Sequence, residues 1–189
     1  MENSRKDFLK KICISGACMC GFSAIAASAA NISQTGDSSE DQNNNLPMIQ
    51  DWISTLLTTM EHEVDEKTIR KILKNCSSVH FNQLNLDKLL AGYVGDLEGF
   101  IHALEEKFGW KIDYDKESKT ILVNENKDYC VCPMANLKKG GMSAMLCYCS
   151  EGFAEKLFST VTQVPMTASV VSSVQKGDKR CIYKITPNE

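Results

Sequence analysis

The chain has 189 residues, 43% hydrophobic and 24% charged, with a formal net charge of −3. That length suits one domain with a real core, and the near-neutral, slightly acidic balance leaves no basic stripe for binding nucleic acid. Nine residues are cysteine.

The first 29 residues read as an export signal. Arg5, Lys6, Lys10 and Lys11 form a basic start, and an apolar, small-residue run follows from Ile12 to Ala30. Ala27-Ser28-Ala29 fits a signal-peptidase site. Ser4-Arg5-Lys6-Asp7-Phe8-Leu9-Lys10 resembles the twin-arginine export motif, with lysine in place of the second arginine. The expected partner is therefore the twin-arginine machinery, and the expected location is periplasmic or extracellular. The alternative is an uncleaved anchor over residues 12–30, near the shortest length that spans a bilayer; Ser15-Gly16-Ala17-Cys18 is a poor match to a lipid-accepting cysteine site. Removing residues 1–29 takes away four basic and two acidic residues and leaves a net charge of −5. Residues 30–47 are rich in Asn, Gln, Ser and Asp and read as a disordered linker, because they have little apolar surface to offset ordering entropy. The folded domain is expected over 48–189.

Ile49, Ile53, Leu56, Leu57 and Met60 recur at helical spacing and predict a first helix. Asp65 is placed to cap a second, with Ile69, Ile72, Leu73 and Cys76 on its inner face. Apolar residues from Leu86 to Phe108 keep a helical period, and Gly95 marks a break within it. The period then switches: 110–114 and 120–123 read as a hairpin. A cysteine-rich loop spans 130–149, where Pro133 and Gly140-Gly141 disfavour regular structure. A helix starting at Cys149 or Ser150 carries Phe153, Leu157, Phe158 and Val161. Residues 166–175 and a last strand with Cys181, Tyr183 and Ile185 flank a turn at 176–179. The fold class is α+β: N-terminal helices, a hairpin, a cysteine-rich loop, a helix and a C-terminal hairpin.

The chemistry concentrates in two CxC pairs, Cys130-Val-Cys132-Pro and Cys147-Tyr-Cys149, separated by fourteen residues. Such a cluster ligates a soft metal, forms disulfides or supplies a reactive thiol. Loss of the signal removes Cys13, Cys18 and Cys20 and leaves six cysteines: 76, 130, 132, 147, 149 and 181. An even number in an exported chain also permits disulfides. Four thiolates suit a structural zinc ion or an iron–sulfur cluster.

The end of the chain reads Cys147-x-Cys149-x-x-Gly152-Phe153, a helix, a β-branched strand, then Gly177-Asp178-x-x-Cys181-x-x-x-Ile185. This resembles the C-terminal half of the 4-vinyl reductase-like domains. The same ending occurs in proteins similar to L-2-amino-thiazoline-4-carboxylate hydrolase. The mature chain is most similar to a cysteine-rich bacterial family, without an established activity, that joins C-x-C-P to C-Y-C-S. The resemblance implies an α/β domain around a small-molecule pocket whose edge, in phenol-sensing members, is pinned by zinc. Cys147 or Cys149 matches the first of those zinc ligands and Cys181 the last. The two middle positions fall near Val170 and Ser173, which are poor ligands, so Cys130 and Cys132 are expected to supply the missing pair.

The resulting expectation is a non-enzymatic, exported domain that binds zinc or an iron–sulfur cluster through Cys130, Cys132, Cys147, Cys149 and Cys181, with a small molecule as a further candidate ligand. A thiol hydrolase related to the thiazoline enzymes is the first alternative. Cys149 is its candidate nucleophile, since a helix N-terminus lowers a thiol pKa. A disulfide-stabilised structural or interaction domain is the second. His62, His80 and His102 read as surface residues, and Trp52, Trp110, Phe100 and Tyr148 as core more than pocket. No HExxH, phosphate loop or Ser-His-Asp order appears.

Overall fold

A computed structural model describes residues 46–135 and 143–188; the expected export signal, most of the expected linker and Gly140-Gly141 lie outside the described residues. Helix α1 spans Leu46–Glu63, α2 Glu66–Gln83, the short α3 Leu86–Leu90 and α4 Leu97–Phe108. Strands β1 (Lys111–Asp115) and β2 (Thr120–Asn124) form the hairpin. Helix α5 (Cys147–Thr162), β3 (Met166–Ser172) and β4 (Ile182–Pro187) complete the chain. The class is α+β. Among the described residues no helix is long and apolar enough to cross a membrane.

Local chemistry explains most boundaries. The Asp65 side chain accepts from Thr68 N at 3.0 Å and caps α2. Asp96 caps α4 through Gly99 N. Gly95 and Gly109 take φ of +78° and +67°, left-handed values open to glycine, and there the chain breaks before α4 and leaves it.

The four strands are antiparallel in the order β1-β2-β4-β3. Alternation places Ile121, Val123, Tyr183 and Ile185 on the buried face, while Leu122 and Lys184 are exposed, so one side of the sheet meets water. The inner face packs on α5, whose Phe153, Ala154, Leu157, Phe158 and Val161 join Phe100, Leu104 and Trp110 in the main core. Helix α2 covers α5 from the other side. The two backbones approach so closely that a Cβ at Gly152 would stand 2.3 Å from the carbonyl oxygen of Lys74. A second, smaller core joins Leu57, Ile69, Leu73, Ala135, Leu146 and Tyr148.

Several expectations need correction. On α2 the inward row is Ile69, Leu73, Ser77 and Phe81, whereas Ile72 and Cys76 face outward. On α1 only Leu57 is buried; Ile49 and Leu56 are exposed, and Trp52 is 65% exposed and belongs to neither core nor pocket. Helix α5 begins at Cys147, two residues early, because a 3-10 turn over Ala144–Leu146, capped by Ser143, leads into it. Residues Val174–Lys176 form a 3-10 turn where the alternation suggested strand. There the register between β3 and β4 shifts at Val170/Ser172, and the Ser173 hydroxyl accepts from Lys176 N.

Candidate functional site

At the end of the sheet where β2 and β3 finish and β4 begins, four thiols from three separate segments line one void. Cys130 and Cys132 come from the loop after β2, Cys147 is the first residue of α5, and Cys181 immediately precedes β4. Glu125, Ser150 and Tyr183 share the lining. The void measures about 20 Å³, space for one water-sized species.

Each segment is held from outside the void. The amide of Glu125 donates to the Cys181 carbonyl at 3.1 Å, which extends the β2–β4 ladder and brings carboxylate and thiol together. Gln50 on α1 donates through Nε2 to the carbonyls of Pro133 at 2.8 Å and Ala135 at 3.3 Å. The Ser143 hydroxyl donates to Glu61, also on α1. Helix α1 therefore pins the thiol loop on both sides of residues 136–142. Cys130, Cys132 and Met134 pack against the smaller core.

The electrostatics follow from burial. Cys132 and Cys181 are pushed up to about 12 by desolvation. Cys147 is raised by burial, with a hydrogen bond to Ser173 acting in the opposite direction. Tyr183 is raised well above its ordinary value by burial, and then by Glu125 and Cys181. Burial thus favours the neutral thiol at Cys132, Cys147 and Cys181. All six cysteines among the described residues are free. No group of three or more His, Cys, Asp or Glu side chains among the described residues is already arranged to hold a metal ion.

Of the five candidate thiols, Cys149 alone does not line the void. It stays within electrostatic reach of Cys132, Cys147 and Cys76. Burial raises its pKa to about 12, the opposite of the lowering expected at a helix N-terminus. The cause is desolvation of a residue only 6% exposed, with Cys76 and Cys147 adding to it. Phe100 and Trp110 sit in the main core and Tyr148 in the smaller one. His62 and His102 are exposed, and His80 is half-buried, its pKa lowered by desolvation. Val170 pairs with Tyr183 across the sheet, while Ser173 is fully buried and bonded to Cys147.

Sequence reasoning missed the carboxylates. Glu125 is 3% exposed and Glu151 fully buried. Glu151 meets Arg70 Nη1 at 3.3 Å and Lys74 Nζ at 3.4 Å, and accepts from the Val170 amide at 2.8 Å. Lys74 also pairs with Glu155 at 2.6 Å. Arg70 lies 4.2 Å over the Tyr148 ring, whose hydroxyl donates to Glu66. These groups bind α2 to α5 and β3. The available signal was the position of Glu151, a charged residue between Tyr148 and Phe153 at the start of a predicted helix.

Residues 7–189 match the family of unknown function DUF6144. The chain belongs to this family. No functionally curated protein matches it. Among solved structures it is similar to a trafficking protein particle complex subunit 3 from Naegleria fowleri, crystallised covalently bound to palmitic acid. The two share 10% identity at a TM-score of 0.51, over 78% of this chain and 97% of that one. At that identity the likeness is one of fold.

Proposed function

We propose that the protein is an exported, non-enzymatic domain whose thiol pocket takes one thiophilic metal ion, zinc before others, through Cys130, Cys132, Cys147 and Cys181. The observation that carries this reading is the convergence of four thiols from three segments on a void of about 20 Å³. That volume suits a single ion better than an iron–sulfur cluster, a hydrolase substrate or an acyl chain such as the palmitate of the N. fowleri protein. Zinc takes four ligands at about 2.3 Å. The donor set fits, and the donors close on the ion by movement of the Cys130–Cys132 loop, which lies outside the helices and strands. Glu125 stands beside them as a second-rank oxygen donor. The order α5, β3, Gly177-Asp178 turn, β4 supports the 4-vinyl reductase-like arrangement, and the Arg5-to-Ala29 pattern supports export.

The test is elemental analysis with thiol titration on the purified chain, repeated on Cys147→Ser, Cys181→Ser and Cys149→Ser. Expected is one zinc per chain, lost with Cys147 or Cys181 and kept without Cys149. Cobalt substitution should add thiolate-to-metal charge-transfer absorption. Metal-free protein with every thiol titratable overturns the reading, and metal-free protein with paired sulfurs replaces it with the disulfide-stabilised domain.

A further inference from the structure

A second cavity lies at the opposite end of α5 and of the sheet, where β1 and β4 finish and β2 and β3 begin. It measures about 250 Å³ and is walled by Leu97, Val161, Val164, Met166 and Pro187, with Tyr114 and Lys119 as polar members. Its frame is tied together. Gly95 N donates to the Val161 carbonyl at 2.8 Å, Met166 N to the Ser159 hydroxyl at 2.9 Å, and Asn188 N to the Pro165 carbonyl at 2.9 Å. The Thr162 hydroxyl, also in the lining, is occupied by the carbonyls of Phe158 and Val164.

Charge at this end is unevenly satisfied. Lys116, in the turn between β1 and β2, pairs with Glu98 at 2.5 Å. The Asp115 carboxylate is taken by the amides of Glu117 and Ser118 and by the Ser118 hydroxyl. Lys119 is exposed and has no ion pair among the described residues, so its ammonium is available at the rim of the apolar cavity. Its φ of 53° is a left-handed value that a glycine or asparagine would adopt at less cost, so the turn carries a lysine there against backbone preference.

We propose that this cavity binds an amphiphilic anion, a carboxylate with an apolar body of about ten carbons, its head on Lys119 and its tail against Val161, Val164 and Met166. The size follows by proportion from the roughly 150 Å³ apolar cavity that accepts benzene. Largely apolar walls with one or two polar groups are what such a ligand requires. The site is separate from the thiols by the length of α5 and does not depend on the metal reading.

Calorimetric titration of the full chain with decanoate, decanol and decylamine tests it. Decanoate should bind saturably and more tightly than decanol, and decylamine least. Val164→Trp, at a 45% exposed position, should fill the cavity and weaken decanoate by about tenfold or more while circular dichroism shows the fold retained. Lys119→Ala should weaken decanoate by up to about fivefold and remove its advantage over decanol. Absence of saturable decanoate binding, binding untouched by Val164→Trp, or decylamine binding as well as decanoate each overturns the proposal.

Discussion

Cys149 and Cys76 show what position does to a thiol. Cys149 is 6% exposed and held near 12 by burial; Cys76 faces outward from α2. The thiolate is the nucleophile, so a buried, neutral thiol reacts slowly at neutral pH. Alkylation of the folded protein with iodoacetamide should label Cys76 well before Cys149, as read by peptide mass mapping. Equal labelling of the two would place Cys149 in an open, activated site and revive the hydrolase alternative.

At the scale of elements, the contact between α2 and α5 is the tightest in the fold. Gly152 admits the Lys74 backbone, and Glu151 sits fully buried between Arg70 and Lys74. A methyl at 152 meets backbone and cannot be relieved by a side-chain rotation. Gly152→Ala should therefore destabilise the protein by roughly 1–3 kcal/mol in urea unfolding. An unchanged midpoint would mean the helices stand further apart than described. The α2 cap has a pH signature. The Thr68 hydroxyl, then the Thr68 amide, hold the Asp65 carboxyl below its ordinary 3.8. A carboxylate lowered in the folded state stabilises above its unfolded pKa and loses that contribution as pH falls through the folded value. Asp65→Ala should lower Tm at neutral pH, and the gap to wild type should shrink below about pH 4. A gap independent of pH would remove the charge from the cap's role.

At the scale of the whole molecule, the two ends of α5 carry different chemistry: buried thiols at its N-terminus and an apolar cavity beside a lone lysine at its C-terminus. The solvated face of the sheet contributes to neither. Helix α1 covers little core and instead clamps the thiol loop through Gln50 and Glu61. The proposed export route is tested at this scale. Replacing Arg5 and Lys6 together should leave full-length protein in the cytoplasm on fractionation and immunoblotting. Cleaved protein still exported in cells without the twin-arginine machinery would remove that route.

What the sequence determined by itself was local. The Asp65 cap, the interruption at Gly95, the stop at Gly109 and the 110–124 hairpin each depend on residues a few positions apart. Their energetics of φ, capping and alternation are complete within that distance. The suspicion of a thiol site was also legible, because two CxC pairs are a local pattern. Tertiary structure decided everything that depended on which face meets which neighbour. Cys76 and Ser77 are adjacent, and a rotation of one residue on α2 chooses between them; the approach of Gly152 made the choice. Cys149 left the lining of the void for the same reason. Two residues, a little over half a turn of α5, put Cys147 in the pocket lining and leave Cys149 outside it. The buried Glu151 between two cations from another helix has no local signature, because its partners lie about eighty positions earlier in the chain.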